Sequence, residues 1–167
     1  MKLSTERLHL RPLTKASPRQ VAWLRDPEVV RFSEQRHRDH NLSTQLRYVT
    51  SFRGRLWAIY LIDKDVHIGN ISAAHDYDNN VSDVGIMIGE KAYWGKGFGQ
   101  EAWNCVCNWL LSRDGGDVRK LEAGCMRENA AMLKIIRKSR FTQEGERLNH
   151  FLLNGMPVSA VLFGRMR

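Results

Sequence analysis

Three glycines at alternate positions, Gly95, Gly97 and Gly99, punctuate the string Tyr93-Trp94-Gly95-Lys96-Gly97-Phe98-Gly99. A strand-like run, Val84-Gly85-Ile86-Met87-Ile88, leads into the loop. An amphipathic helical pattern leaves it, with Phe98, Ala102, Val106 and Leu110 recurring at every fourth position. Glycine lets the backbone turn so that successive N–H groups face one spot. The start of a helix adds a positive dipole end. The chemistry such a loop supports is pyrophosphate binding. It is not a Walker loop, because Lys96 is followed by Gly97 and the magnesium-binding hydroxyl is missing. It is not a dinucleotide fingerprint either, since the spacing is G-x-G-x-G.

Titratable side chains surround this segment. Asp83 opens the strand before the loop, Glu90 follows it, and Tyr93 begins the loop itself. His75 and Asp76 follow the preceding strand as a candidate base with its orienting carboxylate. Cys125 is a candidate nucleophile, although an inert strand cysteine is the plainer reading. His37-x-x-His40 has the look of a metal pair, but no third ligand is spaced nearby, so no metal site is expected.

The elements that must hold these residues follow from periodicity. Arg7–Arg11 alternates polar and apolar and reads as a strand stopped by Pro12. Val21–Leu24 and Ser43–Phe52 read as short helices, the second capped by Ser43 or Thr44. The polar stretch Arg31–His40 between them reads as a loop. Strands are expected at Leu56–Ile62, Val66–Ala74 and Val81–Ile88, turning at Asp63-Lys64-Asp65 and Asp78-Asn79-Asn80. After the glycine loop and its helix come a strand at Lys120–Cys125 and a helix over Asn129–Ser139. A closing hairpin of Phe151–Leu153 and Val158–Phe163 turns at Asn154-Gly155. This order predicts an α/β fold of the mixed α+β kind: a mixed, mostly antiparallel central sheet flanked by helices. Val81 to Cys125 would form a right-handed crossover.

Length and composition set limits. The 167 residues, 43% hydrophobic, fit one domain spanning 1–167 with a real core. No apolar run is long enough for a bilayer, and residues 1–7 lack a signal-peptide stretch, so a cytoplasmic protein without membrane partners is expected. The three cysteines, Cys105, Cys107 and Cys125, suit neither zinc nor a disulfide framework. Lys and Arg outnumber Asp and Glu 26 to 18, for a net charge of +8, so the chain attracts anions. The basic residues are scattered rather than blocked, which argues against a nucleic-acid-binding arm.

The glycine loop resembles motif A of the GNAT superfamily of N-acetyltransferases, whose core is R/Q-x-x-G-x-G/A. Gly97 and Gly99 match its small positions, and Trp94 stands where Arg or Gln is usual. The longer string through Glu101-Ala102 is similar to the branch of ribosomal-protein alanine acetyltransferases and amino-sugar N-acetyltransferases. Thr5–Leu13 looks like that branch's opening strand. Asn129–Phe141 resembles its N-x-x-S/A helix ending in G-F, with Met132 at the small position and Arg140 for the glycine. Glu144-Gly145 and Asn154-Gly155 fall where it has a closing hairpin.

The resemblance implies an enzyme that binds acetyl-CoA and passes the acetyl group to a primary amine by direct attack. Backbone groups of Ile86, Met87 and Ile88 would pair with the pantetheine arm. The loop Trp94, Gly95, Lys96, Gly97, Phe98 and Gly99 would hold the pyrophosphate, and Asn129 would touch the CoA arm as well as capping its helix. Asp83 and Glu90 become candidate bases, because an amine must lose a proton to attack. Many relatives place a tyrosine acid seven residues after the motif asparagine. Here that position is Ile136, so Tyr93, water or no acid at all must serve. The acceptor would lie between the N-terminal helices and the last hairpin. The basic segment Arg31–His40, with its likeness to amino-sugar enzymes, points to a nucleotide-linked amino sugar. The alternatives are a peptide N-terminus, as in ribosomal-protein acetylation, and an acyl-CoA-binding module without catalysis. Pairing of the last strands would allow a homodimer.

Overall fold

In a computed structural model describing all 167 residues, eight strands form one sheet in the order β1-β2-β3-β4-β5-β6-β8-β7. The strands are β1 (Leu3–Ser4), β2 (Leu8–Pro12), β3 (Gly54–Leu61), β4 (His67–Asp76), β5 (Val81–Ile88), β6 (Lys120–Met126), β7 (Thr142–Leu153) and β8 (Met156–Met166). Every neighbouring pair is antiparallel except β5 and β6, as expected for a strand-helix-strand crossover. Four helices complete the chain: α1 (Pro18–Arg25), α2 (Leu42–Ser51), α3 (Phe98–Leu111) and α4 (Ala130–Arg137).

Alternation along the strands decides which helix covers which face. Ile59, Ile71, Ala73, Val84 and Leu121 point to one side and pack with Ala102, Trp103, Val106 and Leu110 of α3, all buried in one cluster. Residues of opposite parity, among them Leu56, Ser72, Gly85 and Met87, face α1 and α2. Cys107 is sealed beneath α3 while Cys105, two positions away, is only half-buried.

Several boundaries move from those the sequence suggests. The cap of α2 is Asn41, not Ser43 or Thr44; Asn41 accepts from Thr44 N–H, and the Thr44 hydroxyl answers the Asn41 N–H. The Arg31–His40 stretch contains a 3-10 turn at Glu34–His37. Strand β7 begins nine residues before Phe151, and β8 extends beyond Val158–Phe163 at both ends. The early part of β7 is mostly exposed, so both faces carry polar residues and the period-2 signal vanishes. Only its backbone pairing with β8 marks it as strand.

Arg140 sits just past α4 at φ 62°, where helices favour glycine, and its side chain is exposed without a hydrogen bond. Arg140→Gly should therefore stabilise the fold by about 1 kcal/mol, raising Tm by roughly 2–4 °C. Thermal unfolding of the two proteins checks this.

Candidate active site

The site arises where the two parallel strands part. β5 and β6 pair only over Val81–Asp83 with Lys120–Glu122. Beyond Asp83 they diverge, and no strand covers that edge of β5. Gly89 N–H bonds across to Ile68 on β4, and the Met87 carbonyl faces Gly69 on the same strand. Alternation then turns the N–H and C=O of Ile86 and Ile88 toward the open edge. The Trp94 indole N–H occupies the Ile88 carbonyl at 2.6 Å, bracing the loop against the strand end. Ile86 N–H, Ile86 C=O and Ile88 N–H are left for an extended ligand. The Met87 backbone belongs to β4, and its side chain lines a cavity on the other face.

At the end of this edge lies the glycine loop. Gly95 and Gly97 hold φ of 72° and 84°, conformations that L side chains seldom adopt. A Cβ on Gly95 would meet nothing within 4 Å, and one on Gly97 only the Arg7 guanidinium at 3.5 Å, so backbone conformation rather than space selects these glycines. The N–H groups of Gly95, Lys96, Gly97, Phe98, Gly99 and Gln100 have no backbone acceptor, and no side chain caps α3. Six successive donors at a helix N-terminus fit an oligophosphate.

Arg7 and Glu101 lock this cradle to the sheet. Glu101 accepts from the Thr5 hydroxyl at 2.5 Å, Arg7 N–H at 3.1 Å and Arg7 Nε at 2.7 Å. Burial alone would raise its pKa, but the bonds from Thr5 and Arg7 outweigh it and hold the carboxyl below its usual range. Arg7 also donates to the Lys96 carbonyl and lies over the Phe98 ring, which leaves its charge beside the loop. Tyr93 forms a wall of the cradle, edge-on to Phe98 and under the Lys96 ammonium.

Asp83 stands at the vertex, the last β5 residue to pair with β6. It lies in an open cleft of about 750 Å³ with Arg53, Asp76, Arg119, Lys120 and Glu122. The carboxyl touches solvent, yet the cleft walls strip much of its hydration. That desolvation, followed by repulsion from Glu122, pushes its pKa up to about 6.

The other candidates fall elsewhere. Glu90 lies at the far end of β5, seven residues and roughly 23 Å from Asp83 at about 3.3 Å per residue, beside Arg19 at 3.5 Å. His75 and Asp76 form no pair. His75 bonds Ser82 at 2.8 Å, while Asp76 accepts from the Asp78 and Asn79 N–H groups in a turn. Burial raises the Cys125 thiol to about 11, which keeps it neutral and unfit as a nucleophile. Asn129 caps α4 by accepting from Met132 N–H, and its Nδ2 makes no hydrogen bond. Ile136, at the position where many relatives carry a tyrosine, is fully buried.

Part of the basic segment is consumed in holding the fold together. Arg36 pairs with Glu34 and donates to the Ser33 and Leu152 carbonyls. His40 is buried between Gln35 and Gln45. Arg31 lies over Phe32. Sequence spacing missed Glu122, whose effect depends on the parallel register, and a second cavity behind α1 and α2.

Residues 7–142 match the family model described as the acetyltransferase (GNAT) domain. The chain belongs to this family. The GNAT fold is shared at low identity by an acetyltransferase of the GNAT family from Bacillus anthracis, with TM-score 0.80 and 15% identity over 99% of this chain and 98% of that one. A ribosomal-protein-S5-alanine acetyltransferase from Vibrio fischeri gives 0.76 and 17% over 99% and 96%. The microcin C7 self immunity acetyltransferase MccE, in complex with acetyl-CoA and AMP, gives 0.79 and 17% over 98% and 94%. No curated protein matches the chain in sequence. GNAT membership makes this an acetyltransferase with acetyl-CoA as donor. No helix of this GNAT protein is long and apolar enough to cross a membrane.

Proposed function

We propose that this GNAT enzyme acetylates the α-amine of a peptide or protein N-terminus, with Asp83 as general base. The observation that carries this reading is the Asp83 carboxyl at the strand vertex, its pKa raised to about 6, in an open cleft with more carboxylates than cations. Acetyl-CoA supplies the activated acetyl group. The N–H groups from Gly95 to Gln100 hold its pyrophosphate. Ile86 and Ile88 align the pantetheine arm along β5 with help from Asn129 Nδ2, and Ile86 N–H faces the developing oxyanion. Asp83 takes the proton as the amine nitrogen bonds the acetyl carbon and the carbon–sulfur bond breaks. With Ile136 buried and Tyr93 in the cradle wall, the thiolate takes its proton from water.

A base of pKa about 6 suits an α-amine of pKa about 7.7–8.0 better than a lysine near 10.4. Four carboxylates, Asp76, Asp78, Asp83 and Glu122, face three cations in the cleft, Arg53, Arg119 and Lys120. That balance favours an ammonium over the phosphates of a nucleotide sugar. With Arg36 and His40 engaged internally, the nucleotide reading also loses part of its expected phosphate-binding set. Release of CoA thiol from acetyl-CoA, measured with free-N-terminus peptides and with a nucleotide-linked amino sugar, tests the assignment. Peptide turnover with a blocked N-terminus as product is expected. Turnover of the sugar alone would overturn it. Tight acetyl-CoA binding with no turnover of either would make the chain a binding module.

A further inference from the structure

Behind α1 and α2 lies a second cavity of about 310 Å³, floored by Ser72, Gly85 and Met87 of the sheet. It opens on the same sheet face as Asp83, two residues from it along β5. Two glutamines in its wall are almost wholly buried, Gln20 at 2% exposure and Gln45 at 8%. Each has half of its amide committed to the fold. Gln20 Oε1 accepts from Ser17 N–H at 2.8 Å in the α1 capping box, which leaves Nε2 without a partner. On the other wall, the Gln35 carbonyl can only accept, so His40 Nε2 must donate to it. In the neutral ring His40 Nδ1 is then an acceptor, taken by Gln45 Nε2 at 3.2 Å. That leaves Gln45 Oε1 free.

Trp103 Nε1 is the one side-chain polar atom sealed away without a partner. The free ends of Gln20 and Gln45 therefore reach open space, and the space they border is this cavity. Besides the rotatable hydroxyls of Tyr48 and Ser72 in its lining, the cavity thus offers one donor and one acceptor whose roles are set, each oriented by a hydrogen bond at its other end. The only full charges at its rim, Arg38 and Asp39, are of opposite sign.

We infer that this cavity receives the side chain of the acceptor's first residue and selects an uncharged group that both accepts and donates a hydrogen bond, a hydroxyl or a carboxamide. The assignment rests on the peptide N-terminus as acceptor. A carboxylate satisfies Gln20 but repels Gln45 Oε1, an ammonium does the reverse, and an alanine leaves both unmatched.

The test compares kcat/KM over a panel of otherwise identical peptides beginning with Ser, Thr, Asn, Ala, Asp or Lys. The first three should exceed the others by roughly 10-fold or more. Gln20→Glu keeps the oxygen that caps α1 but replaces the donor with a second oxygen. It should bring the Ser-to-Ala ratio toward one, mainly through KM, while acetyl-CoA affinity by calorimetry stays unchanged. Equal kcat/KM across the panel, or an unchanged ranking in Gln20→Glu, would overturn the pocket assignment while leaving peptide acetylation intact. Absence of turnover with every peptide would overturn both.

Discussion

Asp83→Asn should lower kcat/KM by about 10²–10⁴-fold, the range for loss of a general base, with little change in acetyl-CoA affinity. The pH profile makes the prediction specific. With a pKa raised to about 6, Asp83 is ionised above that pH and able to take a proton. Activity should fall as pH drops through about 6, and this limb should be missing from the residual activity of Asp83→Asn. Glu122→Gln removes the like charge that contributes to the raised value, so the limb should move toward the ordinary carboxylate range. A purely structural role for Asp83 would not respond to Glu122. Stability carries the opposite sign. A carboxyl raised from 3.8 to about 6 binds more protons folded than unfolded between those values. It therefore costs stability as pH rises through that window and continues to do so above it. Asp83→Asn should be the more stable protein at pH 7 while being the poorer catalyst. Full rate in Asp83→Asn with an unchanged limb would remove Asp83 from the chemistry.

The sequence exposes the cradle because its parts are contiguous: a strand, three glycines and a helix start lie within sixteen residues, Val84–Gly99. It also places Asp83 near the start of β5, since a β-branched-rich run follows the Asp78-Asn79-Asn80 turn. It does not show why Asp83 differs from Glu90. Asp83 is set apart first by desolvation in a cleft that the folded sheet assembles and then by Glu122, which reaches it only through the parallel register of β5 and β6, separated by the whole of α3. The basic segment misleads for the same reason. Arg36 and His40 look like free cations in a polar stretch, yet the Leu152 carbonyl on the last hairpin and Gln45 on α2 consume them. Gln20 closes the capping box of α1 with Ser17, but its second role has no local signature, because the cavity it borders is assembled from α1, α2 and three strands. Local pattern specifies most elements, the early part of β7 excepted, while tertiary pairing decides which polar atoms are left over.

Gly97→Glu should abolish measurable acetyl-CoA binding, with a loss of affinity of 10²-fold or more in calorimetry. Three effects act together. A side chain at φ 84° strains the loop, at about 1–2 kcal/mol, and tilts the neighbouring N–H groups off their common direction. The new carboxylate brings a negative charge to a helix N-terminus that would otherwise meet phosphate. The nearest group to the new Cβ is the Arg7 guanidinium at 3.5 Å, which now bonds Glu101 and the Lys96 carbonyl. A glutamate at 97 can draw Arg7 away and loosen the tie between β2 and α3. Losing two charge-assisted hydrogen bonds to phosphate, at about 1.5–3 kcal/mol each, already accounts for a fall of this size. Gly97→Ala separates the causes, since it keeps the backbone strain without the charge and should weaken binding by about tenfold. Because the loop is exposed and no core residue touches Gly97, both variants should unfold within a few degrees of the native protein. Undiminished binding in Gly97→Glu would remove the pyrophosphate from this loop, and the six unpaired N–H groups would then be those of an ordinary solvated helix start.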